Sequence, residues 1–195
     1  MQAMNLATPS RDPHARATLA VTCHALQLAM RGLDLAELCR TPLDMCQATS
    51  QVARCLKAIG DHASAEKFLR QALGWTVQMH GIDARVDLLC ELAEVSCSLA
   101  ETCDVEDDRT CHAALERARD HAFEAARWAT HAADPHWQVK VLLRASDVLN
   151  RCGDHVDAAS MQDRAIVLIG LLPVADLQGE TAGEGPRLQG SHWLM

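Results

Sequence analysis

The 195-residue chain predicts an all-α fold, a right-handed α-solenoid of about three antiparallel helical hairpins preceded by one N-terminal helix. Three observations lead there. One phrase occurs twice: Leu56-x3-Gly60-Asp61-His62-x2-Ala65-x6-Ala72 returns 93 residues later as Leu149-x3-Gly153-Asp154-His155-x2-Ala158-x6-Ala165. A recurring helix–stop–helix phrase marks stacked repeats, each of which buries its apolar face only against its neighbours. The composition agrees, since 49% of residues are AVILMFWYC while only 3% are aromatic. Small apolar residues suit closely packed helices, whereas a β-sandwich draws on aromatic and β-branched ones. Finally, no proline stands between Pro42 and Pro135, which leaves room for four uninterrupted helices.

The elements follow in chain order. Residues 1–11 read as a flexible leader. Asp12-Pro13 supplies a cap and a first-turn proline, and Leu19, Cys23, Leu26, Met30 and Leu33 keep helical spacing to about Arg40, with Gly32 as a candidate break. Residues 12–40 are a capping helix or a degenerate first unit. Thr41-Pro42 restarts the signal for a helix over 43–59, and Gly60-Asp61 stops it. Helices then follow at 62–79, 83–102 and 110–132, punctuated by Gly81 and the acidic run Asp104–Asp108. Asp134-Pro135 opens a helix over 135–151, Gly153-Asp154 closes it, and a last helix spans 155–171. Within a repeat domain over 12–172, the hairpins fall near 43–80, 83–133 and 135–171. The Gly-rich tail, 173–195, is expected to be disordered, although its His192-Trp193-Leu194-Met195 stretch is apolar.

Bulk properties exclude several classes of work. A formal charge of −8, from 26 acidic and 18 basic residues with no Lys/Arg cluster, argues against nucleic acid and against anionic membrane surfaces. No apolar run is long enough to span a bilayer, and Met1–Arg11 lacks the form of a secretory signal, so a cytoplasmic location is expected. The nine cysteines include no Cys-x2-Cys pair, and their odd number argues against a disulfide framework. They read as reduced thiols acting as small hydrophobes.

No catalytic or metal-binding pattern emerges, and no cofactor is expected. The ten histidines contain neither His-x3-His nor His-Glu-x2-His, and His62 and His155 recur because the turn recurs. Cys103, Cys111 and His112 flank the acidic insert in a spacing that matches no common zinc site. Asp104–Asp108 lacks the Gly and terminal Glu of an EF-hand. Phosphate loops and nucleophile elbows are missing too, and Ser64, Ser96 and Ser146 read as structural. Trp128 and Trp137, either side of Asp134-Pro135, read as filling a joint between repeats.

The stretch Gly60-Asp61-His62-Ala63-Ser64-Ala65-Glu66-Lys67-Phe68-Leu69-Arg70-Gln71-Ala72-Leu73, continuing to Leu89-x2-Leu92-Ala93, resembles a tetratricopeptide repeat (TPR) array. The unit from Leu142 to Leu168 matches nearly as well, and the spacing is similar to the long repeats of kinesin light chains. The middle unit is expanded by the acidic insert, and His62 and His155 stand where the family commonly has a large aromatic.

The resemblance implies a concave groove. Aligned on Ala53, Ala93 and Ser146, the first helices present core faces Thr49/Val52/Ala53/Leu56, Leu89/Leu92/Ala93/Ser96 and Leu142/Ala145/Ser146/Leu149. The family's groove positions fall on Gln47, Ser50, Arg54 and Lys57, then on Asp87, Cys90, Glu94 and Cys97, and then on Lys140, Leu143, Asp147 and Asn150 with Arg151 adjacent. The expected groove is basic at one end, where it would hold a carboxylate, acidic in the middle and mixed at the other end.

The implied function is non-catalytic binding of a protein or peptide, as adaptor, assembly factor or chaperone. A ligand- or peptide-sensing module acting through a separate effector is the alternative, and a thiol- or metal-dependent enzyme a remote one. Ile166, Leu168 and Ile169 on the last helix also suggest pairing with a second copy, a homodimer.

Overall fold

The computed structural model describes residues 13–79, 81–103 and 108–172. Seven helices occupy them: α1 (Pro13–Cys39), α2 (Pro42–Ala58), α3 (His62–Thr76), α4 (Asp83–Thr102), α5 (Asp108–Ala129), α6 (Pro135–Arg151) and α7 (His155–Leu171), with no strand among the described residues. The leader at 1–11, the Asp12 cap, most of the acidic insert and the tail at 173–195 lie outside the described residues.

Each helix packs on its sequence neighbours, and α4 also packs on α6. The chain is thus a stack of helical hairpins, α2–α3, α4–α5 and α6–α7, with α1 laid against α2.

The repeated phrase has a stereochemical cause. Gly60 and Gly153 adopt φ of +86° and +84°, a region that costs any residue with a Cβ. After Gly60 the Asp61 N–H donates to the Leu56 carbonyl at 3.0 Å, and the Gly60 N–H to Lys57 at 3.1 Å. After Gly153 the same pair runs from Asp154 to Leu149 at 2.9 Å and from Gly153 to Asn150 at 3.0 Å. Both are Schellman closures, which satisfy the last carbonyls and turn the chain back into the next helix. The two following aspartates then diverge. Asp61 caps α3 by accepting from the Ser64 N–H at 3.0 Å, whereas Asp154 accepts from Arg119 Nη2 at 2.8 Å and makes no side-chain cap.

Of the three expected proline starts, the two whose caps lie among the described residues hold. Thr41 accepts from the Asp44 N–H ahead of α2, and Asp134 accepts from the His136 N–H ahead of α6. Two expectations need correction. Gly32 does not break α1, which runs through it. The helices expected over 62–79 and 110–132 end earlier, at Thr76 and Ala129, because Met79 N–H to Thr76 and Ala132 N–H to Ala129 tighten the last turn.

All twelve residues of the three anticipated core faces are buried, at 8% exposure or less. α5 contributes only alanine to its buried face (Ala114, Ala118, Ala122, Ala125, Ala126 and Ala129), which lets it lie close against α4. One joint matters below: Val86, Leu89 and Cys90 of α4 meet Ala125 and Ala129 of α5 and Val141 of α6, sealed by Leu73, Trp128 and Trp137.

Candidate functional site

The first helices of the hairpins, α2, α4 and α6, carry the thirteen residues assigned to a groove. α6 lies directly on α4, and this closes the floor between them. Cys90 is buried beside Val141, and Cys97 is buried among Ala145, Val148 and Leu149, so neither thiol lines an open surface. Ser50 is also buried, at 5% exposure, and its hydroxyl donates to the Gln47 carbonyl at 2.9 Å. Cys90 and Cys97 are corrected from groove lining to packing positions; Ser50, though buried, still borders the space between α2 and α4. Gln47, Arg54, Lys140, Leu143, Asp147, Asn150 and Arg151 are exposed, while Lys57, Asp87 and Glu94 are half-buried.

Between α2 and α4 the helices stay apart, leaving a cleft of about 570 Å³. Gln47, Gln51 and Arg54 line it from α2, and Asp87 and Leu88 from the first turns of α4. Four of the groove residues, Gln47, Ser50, Arg54 and Asp87, therefore converge in one place, whereas those of α6 do not reach it.

The charges on this face are organised as a ladder between helices. Arg54 of α2 donates to both oxygens of Glu91 on α4, with Nη2–Oε1 at 2.7 Å. One helical turn on, Lys57 Nζ lies 2.6 Å from Glu94 Oε2. From the other side Arg144 of α6 reaches Glu94 Oε1 at 2.7 Å and, more loosely, Asp87 at 3.9 Å. Arg151 closes the series on Glu101 at 2.9 Å and donates to Ser98. The anticipated basic end is therefore not a pair of open cations, because α4 sets a carboxylate opposite each of Arg54 and Lys57.

Electrostatics single out Asp87. Burial is the largest influence on its carboxyl and holds its pKa above the ordinary value; Arg144 offsets this only in part, and Glu91 adds repulsion. Glu94 is also desolvated, but hydrogen bonds and charge from Lys57 and Arg144 win and lower its pKa. The hydrogen bond from Arg151 lowers Glu101 in the same way. Asp87 is thus the carboxylate of the cleft whose cation is furthest away.

Sequence reasoning missed Glu91, Glu101, Arg144 and Gln51. A signal existed: Asp87, Glu91, Glu94 and Glu101 repeat at helical spacing on α4, facing Arg54 and Lys57 before them and Arg144 and Arg151 after. A second buried knot was also unforeseen. Glu66 of α3 receives Arg70, Arg117 of α5 and the Ser96 hydroxyl of α4, tying three helices at one carboxylate.

Elsewhere the chemistry is that of packing. Among the described residues no group of three His, Cys, Asp or Glu is placed to hold a metal ion. The Cys111 thiol donates to the Ala100 carbonyl, and His112 pairs with Glu116 on its own helix. The Cys97 thiol donates to Glu101 and the Cys152 thiol to the Leu115 carbonyl, both at 3.9 Å, and the neighbouring Cys152 together with burial holds the Cys97 pKa above its ordinary value. Trp128 and Trp137 fill the joint between hairpins as expected, and Arg85 stacks over the Trp128 ring at 5.0 Å.

No family model and no curated protein matches the chain. Solved structures do. A structure described as the DHF58 filament is 20% identical and covers 80% of this chain and 82% of its own, with a TM-score of 0.45. BtubC (BKLC) from P. vanneervenii is 14% identical over 94% of this chain and 99% of its own, with a TM-score of 0.27. A protein from Podosopora anserina, described as a kinesin light chain of nearly identical TPR-like repeats, is 13% identical over 83% and 98%, with a TM-score of 0.28. Among the described residues no helix is long and apolar enough to cross a membrane.

Proposed function

We propose that this repeat scaffold is a non-catalytic protein- or peptide-binding module, an adaptor, assembly factor or chaperone, and that it takes its partner in the cleft between α2 and α4. The observation that carries this reading is the convergence of Gln47, Gln51 and half-buried Asp87 on one open cleft. The two amides offer donors and acceptors to a peptide backbone. Asp87 has its nearest cation 3.9 Å away, so the favoured occupant is a segment bearing a lysine or arginine, which would gain a charge-assisted hydrogen bond. This replaces the carboxylate-binding expectation for Arg54 and Lys57, whose charges are engaged by Glu91 and Glu94.

The cleft volume also falls in the range of small-ligand sites, about 300–1,000 Å³, which favours a sensing module as the second reading. Selection from a displayed random-peptide library separates the two. Enrichment of basic peptides by the wild type, lost in Asp87→Asn with Gln51→Ala, supports peptide binding. Equal enrichment by the variant refutes the cleft as the site.

Self-association belongs to the same proposal. Ile166 and Ile169 on α7 and Leu28, Leu35 and Leu38 on α1 are exposed at the two ends of the stack. Sedimentation that shows only monomer at high concentration dismisses it.

A further inference from the structure

The second helices of the three hairpins share one register. Ala65 and Ala72 of α3 correspond to Ala118 and Ala125 of α5 and to Ala158 and Ala165 of α7, and all six are fully buried. The terminal hydrogen bonds obey the same offsets: Met79 to Thr76, Ala132 to Ala129 and Leu172 to Ile169. In this register Trp75 of α3 and Trp128 of α5 are equivalent, and the third position is Leu168.

Around Trp128 the site is full. The indole packs with Leu73 of α3 and Leu89 of α4, beneath Arg85, and its N–H donates to Glu124. The counterparts in the third hairpin are smaller or shorter: Ala126 stands for Leu73, Gln138 for Arg85 and Leu168 for Trp128, with only Leu142 retaining the Leu89 side chain. What results is a cavity of about 380 Å³ between α5, α6 and α7, bounded by Ala126, Ala129, Leu142, Val167 and Leu168. Asp163 stands at its edge as an acceptor. Its lining is mostly apolar, with Thr130, Gln138, Asp163 and Arg164 as the polar members.

We propose that Trp193 of the same chain occupies this cavity, with Leu194 and Met195 extending the apolar contact. Trp75, Trp128 and Trp137 are already half-buried in the stack, so Trp193 is the one indole the chain has left to supply. The chain continues directly from Leu172, one turn beyond Leu168, and reaches Trp193 after 21 residues. A tether of that length spans on the order of 25 Å, which sets an effective concentration in the millimolar range for a site beside its origin. An outside partner has no such advantage. The docked segment would cover apolar surface at the open end of the array, which terminal repeats otherwise expose.

The test is fluorine NMR on the full chain labelled with 5-fluorotryptophan, the Trp193 resonance assigned by Trp193→Ala. Docking predicts a shift away from the free-indole position that does not change on dilution. It also predicts return to that position in Leu168→Trp, where the cavity carries its own indole. Trp193→Ala should lower the Tm of the wild-type chain by roughly 4 °C and leave that of Leu168→Trp unchanged. Should Leu168→Trp fail to fold, Ala126→Leu narrows the same cavity and carries the same expectation. A free-indole shift in the wild type overturns the proposal, and so does a docked shift lost on dilution, which assigns the cavity to a second copy.

Discussion

Lys57 and Arg144, on helices two hairpins apart, are held by the two oxygens of a single carboxylate, Glu94 Oε2 at 2.6 Å and Oε1 at 2.7 Å. Glu94 therefore joins all three hairpins at one point. Its side chain is only 23% exposed, so the contacts are screened less than ordinary surface pairs. Glu94→Gln keeps the volume and removes the charge, leaving Lys57 and Arg144 facing each other. The expected loss is about 1–3 kcal/mol in urea unfolding, with a smaller loss in a Lys57→Met background. Additive losses in that double-mutant cycle would mean that Lys57 and Glu94 are not coupled.

The boundaries of the stack were legible in the sequence because local chemistry fixes them: prolines after Thr41 and Asp134, and glycines that must adopt positive φ before Asp61 and Asp154. The core faces were legible for a similar reason, since apolar spacing on one helix is enough to define them. The groove was harder to read. Its expected positions follow one stripe per helix, yet α4 is packed by α3, α5 and α6, so more of its circumference is buried than a single stripe accounts for. Cys90 and Cys97 fall on that extra buried width. Arg54 and Lys57 looked like free cations because the carboxylates that meet them lie 37 residues further on, across a contact that no local pattern encodes.

Acid should lower the stability of the fold in two stages. Burial and the neighbouring Arg70 hold the His121 pKa below 6.5, although Glu66, Glu124 and Asp120 pull the other way. The folded state therefore binds that proton less readily than the unfolded one, and stability falls as the pH drops below 6.5 toward the folded pKa. Glu94 and Glu101, also depressed, contribute stability that is complete above 4.5 and is lost as pH falls through their folded values. Asp87, raised by burial, has the opposite sign and softens the second stage. Replacing His121 by Gln should flatten the stability profile between about pH 7.5 and 5.5 and leave the lower stage in place. An unchanged profile would exclude His121 as the first group.

Thiol reactivity should separate the cysteines by position. Cys23 and Cys39 are exposed on α1, whereas Cys46, Cys55, Cys90 and Cys97 are buried. Burial pushes the Cys90 thiol up to about 12, which suppresses the thiolate that alkylation requires. Mass spectrometry after brief iodoacetamide treatment of the native protein should find label on Cys23 and Cys39 first, and on Cys90 and Cys97 only after unfolding. Early label on Cys90 would show that the α4–α6 seam opens readily.

The two glycine turns offer an internal control that few folds provide. Gly60 and Gly153 have the same φ to within two degrees and the same pair of closing hydrogen bonds, and nothing would crowd an added Cβ at either. The penalty for alanine is therefore backbone strain alone, on the order of 1–2 kcal/mol at each site. Local geometry predicts equal losses for Gly60→Ala and Gly153→Ala. Cooperativity enters through position, since the Gly60 turn lies inside the stack between α2 and α3, while the Gly153 turn serves the terminal hairpin. If the terminal hairpin opens independently, Gly153→Ala should raise amide exchange in α7 without shifting the main unfolding transition, and Gly60→Ala should shift that transition itself. Hydrogen exchange of the two variants, read beside urea unfolding, distinguishes a fully cooperative unit from a stack that frays at its α7 end.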